Sequence, residues 1–229
     1  MRYARGVKSP VAPMVVALLA GALACPAAAD EAAPTPEKAV AFTLGARVSV
    51  AFPMGSVLTD SQNGDLRIDD LVALSIPLQL DVGVTLHGRW FVGAYGQYAW
   101  SVLQLGGCAV GESCSVTGLR VGVQATWSLR PHGGPWIGLG TGYEWMFTSY
   151  SGADFDARVD VGGWEYVILQ LGWDVELSPG WKAGPWFSGS IGEFSRATVS
   201  GQGQATDTSI PNKAVHGWLQ LGVKGSFTL

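Results

Sequence analysis

Residues 215–229 read Val-His-Gly-Trp-Leu-Gln-Leu-Gly-Val-Lys-Gly-Ser-Phe-Thr-Leu. Val215, Gly217, Leu219, Leu221, Val223, Gly225, Phe227 and Leu229 alternate with His216, Trp218, Gln220, Gly222, Lys224, Ser226 and Thr228. Successive side chains of a strand point to opposite faces, so the segment has one apolar and one polar face over 15 residues. Ordinary strands run to about 5–6 residues. A strand this long and apolar on one side suits a wall that crosses lipid in a closed barrel.

The same alternation recurs upstream. It runs over Phe42–Phe52, Leu74–Leu86, Val92–Val102, Leu119–Leu129, Ile137–Phe147 and Val167–Leu177, and less regularly over Trp181–Thr198. With the last segment this predicts an all-β fold, an eight-stranded antiparallel up-and-down transmembrane β-barrel. The connections alternate in length. His87-Gly88-Arg89, Pro131 to Pro135 and Ser178-Pro179-Gly180 are short turns. The links near 54–69, 106–115, 150–163 and 198–212 are longer and read as outer loops. Closure follows from the solvent, because an open strand edge in hydrocarbon leaves backbone groups unpaired.

A soluble barrel with its apolar face turned inward accounts equally well for the alternation. The polar face decides between them. It consists of Gly, Ser, Thr and Gln with few Lys and Glu, which suits a narrow lumen better than a water-facing surface. Charged residues make up 14% of the chain, against about 25% in ordinary soluble domains. Gly (32) and Trp (10) are abundant.

The N-terminus carries Arg2, Arg5 and Lys8, an apolar run from Val11 to Ala24, and Ala27-Ala28-Ala29. This reads as a cleaved signal peptide over 1–29, followed by a periplasmic tail over 30–38 and the barrel over 39–229. Loss of those three cations leaves 11 basic against 18 acidic residues. That balance disfavours nucleic acid as a partner.

Aromatic residues mark the expected membrane boundaries. Trp90, Trp136 and Trp181 each follow a short turn and, with Phe42 and Phe227, read as the periplasmic ring. Phe52, Tyr98, Trp100, Trp145 and Phe147 read as the outer ring. Trp136 falls out of phase with Ile137 and Leu139, which leaves a place in the lower mouth open to it.

The polar faces project Arg47, Asp81, Arg120, Glu144, Asp174, Glu176 and Lys224 toward the lumen, together with Gln79, Gln97, Gln124, Gln170 and Gln220. An eight-stranded interior is just wide enough for side chains to fill it. Two readings follow: a structural network of ion pairs that plugs the lumen, or a narrow path for small or apolar solutes. Cys108 and Cys114 flank Gly111 in the second long link, and in an oxidising compartment they predict a disulfide. No His lies beside them, so no metal or other cofactor is expected. Pro77 and Pro185 interrupt strands, as a bulge or, at Pro185, as a lateral opening. A lipid-modifying enzyme needs a nucleophile and base near the outer rim. His216 is the one histidine placed there, and no local motif surrounds it, so the chain is read as non-enzymatic.

These strands, together with Phe91-Val92-Gly93-Ala94-Tyr95-Gly96 and Leu139-Gly140-Thr141-Gly142-Tyr143-Glu144, resemble the small outer-membrane β-barrel families of the OmpA and OmpW types over Val40–Leu229. The resemblance implies a monomer in the outer membrane of a Gram-negative bacterium, in contact with outer-membrane lipid and lipopolysaccharide. It also implies insertion by the outer-membrane assembly machinery, which prefers a terminal aromatic. Here Leu229 is last and Phe227 lies two positions before it.

Overall fold

The computed structural model describes residues 39–58, 66–104, 113–152, 156–201, 204–210 and 212–229. The expected signal peptide and periplasmic tail lie outside the described residues, as does Cys108. The elements are β1 (Val40–Leu58), β2 (Leu66–Arg67), α1 (Ile68–Leu71), β3 (Val72–Leu86), β4 (Trp90–Leu103), β5 (Ser113–Ser128), β6 (Gly133–Ser151), β7 (Asp156–Ser178), β8 (Trp181–Gly201), β9 (Gln204–Ser209) and β10 (Val215–Thr228). Antiparallel pairing runs β1-β3-β4-β5-β6-β7-β8, and β10 closes the ring by pairing with both β8 and β1. This is the expected eight-stranded up-and-down barrel, with β2 and β9 added outside the ring.

Side-chain placement is inverted relative to a soluble protein. Leu80 and Leu169 are 62% and 61% exposed on the outer wall, whereas Glu144 and Glu165 are 2% and 1% exposed within. Only hydrocarbon makes that arrangement stable, because such an apolar surface in water would drive association. A charge on this wall tests its environment. Leu169→Arg is expected to destabilise the bilayer-inserted barrel by about 2–4 kcal/mol, as for a site near the bilayer midplane. Urea titration in vesicles reads the change.

The turns show why one end is tight. His87 and Gly88 both have positive φ (47° and 61°), as the central pair of a type I′ hairpin turn requires. Gly180 (φ 81°) follows Pro179, as in a type II turn. At the other end the strands outrun the sequence reading. β1 continues to Leu58, β6 to Ser151 and β8 to Gly201, β7 begins at Asp156, and β9 adds an exposed strand to β8. Beyond the bilayer both faces of a strand meet water, so alternation fades while backbone pairing persists. The expected long loops are therefore in part an outer sheet. At its base α1 packs beside β1 and β3, with Ile68 fully buried. There Arg67 donates to Asp69 through Nε and Nη2 (2.9 and 2.8 Å) and holds that carboxyl below its usual range.

Neither proline opens the wall. The β1–β3 ladder resumes in the same register on both sides of Pro77, at Val48↔Leu78 and Ala51↔Ser75. The β7–β8 ladder does so around Pro185, at Gly172↔Trp186 and Val175↔Ala183, and β10 pairs with β8 through Pro185 without a break. A Cβ on Gly184 would lie 1.7 Å from the Trp173 carbonyl oxygen, so the two backbones touch where the lateral-opening alternative would place a gap.

The barrel interior as candidate functional site

Inward positions of the eight strands stack into layers. Nearest the periplasmic turns, Thr43 lies 2.7 Å from Thr85 and 3.1 Å from Thr228 through their hydroxyls. Above them Arg47 Nε donates to Asp81 Oδ2 (2.6 Å), Nη1 to Gln170 Oε1 (2.7 Å) and Nη2 to Gln124 Oε1 (3.2 Å). Gln79 and Gln124 each donate to Asp81 Oδ1 at 2.7 Å. In this layer each charge has a hydrogen-bonded partner, which is what an ion pair away from water requires. Beside it, Lys224 Nζ donates to Asp174 Oδ2 (2.9 Å) and lies 4.3 Å from the Trp136 ring.

Trp136 is a correction. It is not an interface aromatic: it is 1% exposed in the lumen, and its indole N–H donates to Asp174 Oδ1 at 3.0 Å. Its phase and its neighbour explain the position. Trp136 pairs with Gly172, where a Cβ would lie 2.6 Å from the indole, so glycine on β7 leaves the space that the ring fills. Glu176 is also set apart from the other expected lumen charges. It lies at the periplasmic rim, partly exposed, with Oε2 3.4 Å from His132 Nδ1. Trp90, Trp100 and Trp181 are exposed on the outer wall, where the interface reading puts them. Phe227 packs on Trp181 (4.7 Å between ring centroids), and Trp145 packs on Tyr143 (4.6 Å).

The next layer holds Arg120 between two carboxylates. Nη2 donates to Glu144 Oε1 at 3.0 Å, and Nη1 lies 3.4 Å from Glu165 Oε1. The second oxygen of Glu144 meets His216 Nε2 at 3.1 Å, and the His216 ring stacks on Phe194 at 3.9 Å. Arg120 also sits 4.9 Å from the Trp218 ring. Sequence reading missed Glu165, because a bulge between Glu165 and Val167 turns both Tyr166 and Val167 outward and shifts the phase. The signal was present: Trp164 and Tyr166 flank Glu165 in one phase, Val167 and Leu169 continue in the other, and two phases in one strand mean a bulge.

The outermost layer is apolar. Ala51, Val57, Ile68, Val72, Val116, Met146, Val161, Phe194, Ile210 and Trp218 form one buried cluster inside the outer half of the barrel. Ile68, Val72 and Phe194 are fully buried there. Hydrophobic side chains pack in this mouth as they fill the core of a soluble domain, with Ile68 of α1 and Ile210 among them. Below it, among the described residues, the lumen holds small voids. One of about 50 Å³ lies at the periplasmic mouth among Arg47, Asp174, Lys182 and Lys224, and two of about 10 Å³ flank Arg120. A space of about 10–15 Å³ holds one water molecule.

Cys114 lies on β5, and its expected partner Cys108 lies outside the described residues, so that bridge stays a proposal. Among the described residues no group of His, Cys, Asp and Glu is placed to hold a metal.

No protein-family model and no curated protein matches this chain. Solved structures do. A major outer membrane protein from Thermus thermophilus is 12% identical, with 84% of this chain and 100% of that one covered and a TM-score of 0.52. The outer membrane protein OprG from Pseudomonas aeruginosa is 13% identical over 84% of this chain and 97% of its own, with a TM-score of 0.48. Neisserial surface protein A is 11% identical over 80% and 95%, with a TM-score of 0.44. The first likeness is one of architecture, and it agrees with the apolar outer wall. The chain shares the fold of a small outer-membrane β-barrel.

Proposed function

We propose that this barrel is a sealed structural element of the outer membrane that presents an outer sheet for surface interactions, and that its lumen carries no solute. The observation behind this reading is the apolar cluster in the outer half of the lumen, which takes in Ile68 of α1 and Ile210. Beneath it lie the Arg120 and Arg47 layers, and the voids beside Arg120, about 10 Å³ each, are too small for a solute. The interior charges serve the fold in this reading: Arg47 pairs with Asp81, Arg120 with Glu144 and Lys224 with Asp174. A monomer suffices, since the ring closes within one chain. Lipid and lipopolysaccharide are the partners of the outer wall, and the assembly machinery is its partner during insertion.

A lipid-modifying role finds no support in the position of His216. The ring is sealed between Phe194 and Glu144, away from lipid and from either mouth. The narrow-channel alternative needs a continuous lumen. Swelling of vesicles loaded with small sugars or amino acids separates the readings: vesicles carrying the folded barrel are expected to swell no faster than empty ones. Swelling that rises with the amount of barrel and falls with solute size would replace this reading with the channel.

A further inference from the structure

The bilayer-facing wall carries a groove of about 370 Å³ on β4 to β7, in the middle of the apolar belt. Its rims are Val92, Val123, Leu139 and Tyr166, and its floor is made by Ala125, Gly140 and Thr141. One irregularity produces it. The bulge at Tyr166–Val167 shifts the register of β7 against both neighbours, between Gly140 and Gly142 of β6 and between Gly192 and Ile191 of β8, turns Tyr166 and Val167 both outward and raises one rim above a floor of small residues. A bulge in hydrocarbon leaves a carbonyl with no water to meet it. Here Thr141 Oγ1 donates to the Glu165 carbonyl oxygen at 2.8 Å, so the floor satisfies that carbonyl itself.

Aromatic residues bracket the groove. Trp90 and Trp127 pack together below it (ring centroids 6.2 Å apart), and Tyr143 contacts Trp145 and Trp164 above it (4.6 and 5.4 Å). The Tyr166 hydroxyl donates to Glu193, which pairs in register with Trp164 at the upper edge. The groove therefore lies between the headgroup levels and is continuous with the lipid-facing belt.

We propose that this groove seats one acyl chain of a bilayer lipid, held longer than the lipid around it. The medium that covers this wall is hydrocarbon, and an unfilled depression would forfeit the dispersion contacts of its lining. Lipid is as apolar as the groove, so retention comes from shape and packing, as it does between membrane-embedded segments. This inference rests on the outer wall alone and is independent of whether the lumen conducts.

The test uses the full barrel in phosphatidylcholine vesicles containing a phospholipid spin-labelled on its acyl chain. Electron paramagnetic resonance reads the motionally restricted fraction. Ala125→Phe fills the floor and is expected to remove about one restricted lipid per barrel. Ala46→Phe, on the lipid-facing side of β1, is expected to leave the count unchanged. A gel-mobility shift on heating shows that each variant has folded. Should Ala125→Phe misfold, magnetisation transfer from chain methylenes to the Leu139 methyls of the parent protein, longer-lived than that to Leu80, replaces it. Equal counts in all three proteins, equal losses in both variants, or equal contact lifetimes at Leu139 and Leu80 would overturn the proposal. So would a stable dimer in vesicles that buries Val123 and Leu139, which would assign the groove to a second copy of the chain.

Discussion

Arg120→Met is expected to lower the unfolding free energy of the bilayer-inserted barrel by about 3–5 kcal/mol, the loss seen when one partner of a buried ion pair is removed. The cause is what remains. Glu144 and Glu165 are 2% and 1% exposed and approach the same guanidinium at 3.0 and 3.4 Å. Without it, two carboxyl groups face each other in a space that holds no more than a water molecule. Methionine keeps much of the arginine stem and fills similar space, so the loss reports charge and not packing. The triple variant Arg120→Met, Glu144→Gln, Glu165→Gln removes the charges together and is expected to recover most of the stability. Urea titration in vesicles, followed by tryptophan fluorescence, measures both. A single variant as stable as the parent would mean that the pairs contribute nothing to this layer.

Phe194→Ala is expected to be comparably severe, at about 3–5 kcal/mol, because the ring is fully buried in the outer apolar cluster and its removal leaves a cavity. The same change unstacks His216 from its 3.9 Å contact and exposes one face of the Arg120 layer to the new space. Equilibrium unfolding checks the magnitude. Conductance is expected to stay at the background level in this variant, since the Arg120 and Arg47 layers still lie beneath. A loss below about 1 kcal/mol would place Phe194 at a loose periphery and not in a packed core.

Much of this architecture is legible from residue order alone. The alternation that runs through Leu74–Leu86 and Val215–Leu229 places each lipid-facing side chain correctly, because a bilayer imposes one solvent on one face over the whole strand. Arg47, Asp81, Arg120, Glu144, Asp174 and Lys224 follow from the same period. What alternation hides is set by local departures from it or by medium. Trp136 is a large apolar residue in an inward phase, and only its pairing with Gly172 across the ladder shows that the lumen has room for it. Glu165 lies on the far side of a bulge, so counting back from Val167 puts it on the wrong face. The outer plug draws on Ile68 from a four-residue helix, Val72 at a strand start and Ile210 beyond β9. These residues are scattered over links that read as loops, and no periodic signal joins them. Beyond the membrane the strands lose their apolar face, and with it the feature that announces a strand.

A sealed lumen is what the proposed function requires. Single-channel recording of the refolded barrel in a planar bilayer, on a sample whose gel mobility shifts on heating, tests it most directly. A silent baseline is expected for the parent and for Glu144→Gln alike. Discrete conductance steps whose size or ion selectivity changes in Glu144→Gln would contradict it and make the Arg120 layer part of a permeation path.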